Sequence, residues 1–140
     1  MIGSIIAKSQ IRKSFNALNN HDLKTLMSAW HEDGRFIYPG NLSVSGSFNG
    51  KDEVRSWFEN FFRQFREIRF TVNHVCVDRL FDMTGTNTVA TQWDINLINK
   101  SGTEVRNIGI NVVKVRGGKV VEVRDFFFYP ERLKIAWEET

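Results

Sequence analysis

Residues Val105 to Pro130 read VRNIGINVVKVRGGKVVEVRDFFFYP, and they set the frame for everything before them. The pattern predicts two long strands joined by a tight Gly117-Gly118 turn, because glycine accepts the positive φ that two-residue hairpin turns need. Side chains alternate across a strand. Val121, Val123, Asp125, Phe127 and Tyr129 are therefore expected on one face, and Glu122, Arg124, Phe126 and Phe128 on the other. Asp125 then sits in a row of apolar neighbours, where a charged carboxylate is costly unless it is paired, hydrogen-bonded or open to a pocket. It is the leading functional candidate of the sequence.

The remaining composition narrows the class. A chain of 140 residues, 41% hydrophobic and 25% charged, is enough for one globular domain spanning 1–140. Twelve Phe and four Trp in so short a chain suit a wide apolar interior or cavity better than a thin core. The net charge of +3 is modest, and its cations are scattered, with only Arg63, Arg66 and Arg69 loosely grouped. A solvated face is expected there, and no nucleic-acid partner. One cysteine, Cys76, excludes an internal disulfide and fits a reducing cytoplasm; its apolar strand predicts a buried structural thiol. The first ten residues are too soon polar for a signal peptide. No apolar run approaches the roughly 20 residues of a membrane span, so no membrane partner is expected.

Ahead of the hairpin the pattern is first helical, then extended. Ala7, Ile11, Phe15 and Leu18 mark one face of a helix starting near Ser4. Asp22 can cap a second, short helix with Leu23, Leu26, Met27 and Trp30 on its apolar side. Gly34 to Pro39 predicts a short strand, and Ser43 to Phe48 another. Lys51-Asp52-Glu53 open a third helix, the acids favourably placed at its positive end. Its stripe is Val54, Trp57, Phe58, Phe61, Phe62 and Phe65, wide enough to be covered by something concave. Strands follow over Ile68–Leu80 and Thr86–Asn99. Helices followed by long strands predict an α+β fold, an antiparallel sheet curled around helices with a cavity between. The tail after Pro130, with Leu133, Ile135 and Trp137, is expected to fold back.

Three strings carry a family resemblance: DGRFIYPG over 33–40, GSFNGKDEV over 46–54 and GGKVVEVRDFF over 117–127. In this order and spacing they resemble the SnoaL-like branch of the NTF2-like superfamily, over roughly Ile11 to Arg132. The resemblance implies a cone, a curved sheet wrapped around three helices and a pocket, that dimerises through the outer sheet face. In steroid isomerases of that superfamily the residue before the first-strand proline is an aspartate base; here it is Tyr38. An oxyanion-stabilising acid of the same enzymes would fall at Asn111. Limonene-epoxide-hydrolase-like members carry an Arg-Asp-aromatic-Phe string, matched by Arg124-Asp125-Phe126-Phe127. Their Arg-x-Asp pair is matched by Gln92-Trp93-Asp94, with the bridging arginine replaced. Polyketide cyclases of the SnoaL type also use a last-strand aspartate as acid/base.

The resemblance thus implies that Asp125 and Asp94 face each other across the pocket, one sharing or shuttling a proton; two nearby carboxylates push their pKa values apart. Alternation alone puts Asp94, with Gln92 and Asn96, on the solvent face instead. The plain alternative for Asp125 is pairing with Arg124 or a neighbouring strand. His74 shares a predicted face with Phe70, Val72 and Cys76, as a core residue or a pocket ligand. His21 and His31 are expected to be solvated. Trp30, Tyr38, Trp57, Phe61, Gln92 and Asn111 are the remaining candidates for binding a substrate. No metal or cofactor is expected, since no His or Cys pair stands at ligand spacing. The reading is a small-molecule pocket for an apolar, even polycyclic, ligand with acid/base chemistry (isomerisation, cyclisation, dehydration or hydrolysis). The alternative is a non-catalytic ligand-binding or dimerisation module.

Overall fold

The computed structural model describes residues 2–139; Met1 and Thr140, the ends of the expected 1–140 domain, lie outside the described residues. The elements are α1 (Ile2–Asn19), α2 (Leu23–Ser28), β1 (Trp30–Tyr38), β2 (Gly46–Asn49), α3 (Lys51–Gln64), β3 (Phe65–Val77), β4 (Asn87–Asn99), β5 (Glu104–Arg116), β6 (Lys119–Phe127) and α4 (Arg132–Ala136). The six strands form one curved, open sheet in the order β2-β1-β6-β5-β4-β3. All neighbours are antiparallel except β1 and β6, which run parallel. The fold is α+β, as the sequence pattern predicts, with α1 against β3 and α3 against β1.

Local chemistry explains the main elements. Gly117 and Gly118 have φ of 58° and 77°, the left-handed values that a two-residue hairpin turn demands. Asp22 caps α2 by accepting a hydrogen bond from Thr25 N at 3.1 Å. At the start of α3, the Glu53 carboxylate accepts a bond from Asn49 N at 2.6 Å, while Asp52 and Glu53 complement the positive end of the helix. Val54, Trp57, Phe58 and Phe61 are its buried stripe. They meet the inner residues of the sheet and the buried side of α1, namely Ala7, Ile11, Phe15 and Leu18.

Several boundaries differ from expectation. Trp30 opens β1 rather than closing α2, and Phe65 has left α3 to begin β3, fully buried there. His21 is not solvated: it is half-buried, and its Nε2 lies 2.7 Å from Phe65 O. The tail does fold back. Leu133, Ala136 and Trp137 are buried, whereas Ile135 faces solvent. Gln64 Nε2 and Asn99 Nδ2 both donate to Ala136 O, at 3.1 and 3.3 Å. Trp137 Nε1 donates to Tyr38 Oη at 2.9 Å, and its ring lies 5.1 Å from that of Phe65 and 5.7 Å from that of Trp57. So α4 and Trp137 cover one end of the core.

Two bulges correct the predicted faces. The β3–β4 register shifts between Val72 and His74. One extra residue there reverses which side chains point inward. Phe70 and Val72 turn toward the core before the bulge, Val75 and Val77 after it, and His74 and Cys76 are exposed. Cys76 is therefore not a buried thiol. The β5–β6 register shifts similarly between Lys114 and Val115. It is Val120, not Val121, that reaches the cavity together with Val123.

Candidate functional site

The inner face of β6 carries Val123, Asp125 and Phe127 into a partly open cavity of about 80 Å³. Its walls come from α1 (Ile11, Phe15, Leu18), α3 (Trp57, Phe58, Phe61), β1 (Trp30, Phe36, Tyr38) and β3–β5 (Phe70, Trp93, Ile95, Asn111, Val113). Ten of the residues just named are aromatic, so the cavity is a box of ring faces and edges. Its volume is several times what one water needs but well below the 300–1,000 Å³ of a drug-sized pocket. The polycyclic end of the expected ligand range does not fit this space.

One polar row crosses that box. Thr91 pairs with Asn111 across β4 and β5, and Asn111 with Asp125 across β5 and β6. Tyr38, two residues beyond the Phe36 that pairs with Val123, continues the row onto β1. Thr91 Oγ1, Asn111 Oδ1 and, from the next inward position of β4, Trp93 Nε1 are buried without a hydrogen-bond partner among the described residues. Such groups each cost on the order of 1–3 kcal/mol when left unpaired.

Asp125 is the only acid among the residues lining this cavity. No side chain among the described residues bonds or pairs with its carboxyl; Arg124, on the outer face, does not reach it. Burial alone pushes its pKa up to about 7, because an apolar surround disfavours the charged form. Tyr38 is also raised, chiefly by burial; the bond from Trp137 pulls it down, and the nearby Asp125 pushes it up again. Half of a carboxyl with a pKa near 7 is ionised at neutral pH. It takes up or gives off a proton equally readily, which is the property a general acid/base needs.

The other expected site residues divide cleanly. Tyr38, Trp30, Trp57, Phe61 and Asn111 line the cavity with Asp125. Asp94 does not: it is exposed on the outer face of β4, with half-buried Gln92, while its neighbours Trp93 and Ile95 point inward. Alternation had placed this row outside, and alternation holds here; the two aspartates are on opposite sides of the sheet. His74 is outside as well, for the reason given by the β3 bulge. Trp93 and the α1 residues Ile11, Ser14 and Phe15 also line the cavity, although the sequence pattern marks none of them as a site candidate and gives Ile11 and Phe15 only as a helix face. The pairing of Trp93 with Gly109 explains its reach: a Cβ on Gly109 would stand 2.4 Å from Trp93 Cη2, so the indole lies flat across β5 where glycine leaves room. Nothing in the one-dimensional pattern signals that contact. Among the described residues, no three His, Cys, Asp or Glu side chains gather where a metal ion could be held, and no helix is long and apolar enough to cross a membrane.

Comparison with known proteins places this geometry. The sequence profile of a family described as "SnoaL-like domain" matches residues 11–123. No curated protein matches the chain. Among solved structures, a Bacillus subtilis protein provisionally called an isomerase superposes with a TM-score of 0.81 at 24% identity, covering 100% of this chain and 98% of its own. Bal32a, from a soil-derived mobile gene cassette, gives 0.80 at 18% identity, with 96% and 98% covered. A SnoaL-like protein from Jannaschia sp. CCS1, provisionally called a polyketide cyclase, gives 0.74 at 14% identity, with 97% and 94% covered. At these identities the likeness is one of fold.

Proposed function

We propose, for a chain that belongs to the SnoaL-like domain family, that the cavity binds a small, largely apolar, ring-bearing molecule and that Asp125 moves a proton on it. The observation that carries this reading is the unpaired Asp125 carboxyl on the wall of an aromatic box, its pKa raised to about 7. Ionised, the carboxylate takes a proton from a carbon next to a ligand carbonyl; protonated, it returns that proton at another atom of the same ligand. Charge then develops on the ligand oxygen. The unpaired indole N–H of Trp93 is the donor at hand to meet it after a small side-chain movement.

This chemistry suits isomerisation or cyclisation through an enol better than epoxide hydrolysis. Hydrolysis of that kind would need a second carboxylate and a cation beside Asp125, and both Asp94 and Gln92 are on the other face. The names of the B. subtilis and Jannaschia proteins agree with such reactions.

The test is catalysed exchange of deuterium from solvent into a panel of small cyclic ketones and enones. The wild-type protein is expected to accelerate exchange for at least one of them, and Asp125→Asn to abolish it with folding intact. Binding of a ligand with no exchange in the wild type would support the non-catalytic pocket instead.

The outer sheet face supports a second copy of the chain as partner. Ile108 and Ile110 on β5, Phe126 on β6 and Phe128 just after it are exposed side by side, an apolar patch of the kind that marks an interface.

A further inference from the structure

Apart from Ile135, the large exposed apolar side chains of the described residues fall in two places. One is the sheet face just described. The other is the end of the molecule where the first turns of α1 meet the β3–β4 loop: Ile5, Ile6, Leu80, Phe81 and Met83, with Phe81 76% and Met83 75% exposed. The contact is close, since a Cβ on Gly3 would lie 2.0 Å from Asp82 O.

The loop is built to hold this shape. The Asp82 carboxylate accepts bonds from Thr84 Oγ1 at 2.7 Å and Thr86 N at 2.8 Å. Asn87 accepts from Arg79 N at 3.0 Å and donates to Arg79 O at 2.7 Å. Gly118 N donates to Gly85 O at 3.2 Å, tying the loop to the β5–β6 turn. Asp82 is thus committed to the loop's own backbone while Phe81 and Met83, on either side of it, point to solvent.

Basic residues lie beside parts of this apolar end. Lys8 and Arg12 share a surface groove with Ile5, Arg79 adjoins Leu80, and Arg116 precedes the turn that holds the loop. None of the four is in an ion pair among the described residues. The nearby acids are Asp78, which is exposed, the internally bonded Asp82, and Asp22, which lines the groove of Lys8 and Arg12 and is engaged in capping α2.

We propose that this end docks on an anionic lipid bilayer, with Phe81 and Met83 entering the headgroup boundary and the cations meeting lipid phosphates. A projecting apolar tip matches a deformable lipid phase, and basic residues beside it match a negative leaflet. The lack of a spanning helix bears on crossing a membrane, not on resting against one. Docking is independent of the chemistry at Asp125.

Co-sedimentation with vesicles of phosphatidylcholine alone, or mixed with phosphatidylglycerol, tests it. The protein is expected to bind the mixed vesicles, more weakly in high salt, and to leave the neutral ones in solution. The double variant Phe81→Ser/Met83→Ser should weaken binding by about tenfold or more, with an unchanged melting temperature because both side chains are exposed. Phe126→Ser, on the sheet face, should bind like the wild type. A Phe81→Trp variant should be quenched by brominated lipid. No binding to mixed vesicles, or binding indifferent to the double variant, overturns the proposal. So does self-association in the absence of lipid that the double variant abolishes, which would make a second copy the occupant.

Discussion

Asn111 stands directly opposite Asp125 across the β5–β6 pair, yet no hydrogen bond joins the two side chains, and the Asn111 Oδ1 is buried without any partner among the described residues. Two polar groups in neighbouring register positions normally satisfy each other when water is excluded. Here both are left for something else. Function tolerates such local cost where a ligand's own polar atoms remove it.

The cost should be visible in stability. A carboxyl whose folded pKa is near 7, against about 4 in the unfolded chain, stays protonated in the fold while the unfolded chain ionises. It therefore removes stability as pH rises from about 4 to about 7, by up to about 4 kcal/mol. Asp125→Asn escapes that loss. Its melting temperature should match the wild type in acid and exceed it at pH 8. A variant that melts lower at pH 8 would mean that Asp125 has a stabilising partner.

Any reaction in which Asp125 acts as base should have a kcat/KM that rises with pH through about 7. Asp94→Asn should leave both rate and profile unchanged, since that carboxylate is exposed on the far face. A tenfold loss in Asp94→Asn would contradict the separation of the two aspartates.

The sheet itself was largely legible. Period-two alternation in β4 and β5 and the Gly117-Gly118 turn specify strands, hairpin and faces together, because one face of each strand is buried. Alternation alone assigned Asp94 correctly; the family comparison, which moved it inward, did not. The errors at His74, Cys76 and Val121 share one cause. A bulge adds a residue within a run of ordinary strand formers, with no glycine or proline to announce it. Phe65 fits either element by pattern, because a helical stripe and the start of a buried strand both ask for an apolar ring. The contact of Trp93 with Gly109 is a tertiary fact, and its two residues are 16 positions apart.

That contact makes Gly109 a sensitive position. Its added Cβ would stand 2.4 Å from Trp93 Cη2 and 2.6 Å from Phe126 O. Gly109→Ala should destabilise by roughly 1–3 kcal/mol, as overpacking does. In a Trp93→Phe background the same change should cost less, measured by denaturant unfolding. Equal costs in the two backgrounds would show that the indole is not what the glycine accommodates.

The covering of that end of the core by α4 and Trp137 is also testable. Trp137→Phe loses the bond to Tyr38 Oη and should cost about 1–2 kcal/mol, whereas Trp137→Ala should cost about 3–5 kcal/mol. If Trp137→Ala unfolds at the wild-type denaturant concentration, α4 is an appendage and not part of the core.

For the outer face, Phe126→Asp should convert a dimer to a monomer in light scattering without lowering the melting temperature of the monomer. An unchanged mass would remove that face as the interface.

The titration of Asp125 by carbon-13 NMR, its carboxyl resonance followed from acid to alkaline pH and identified by its loss in Asp125→Asn, probes the proton-transfer reading at its root. The account predicts a midpoint near 7; a midpoint near the ordinary carboxylate value of about 4 would contradict it.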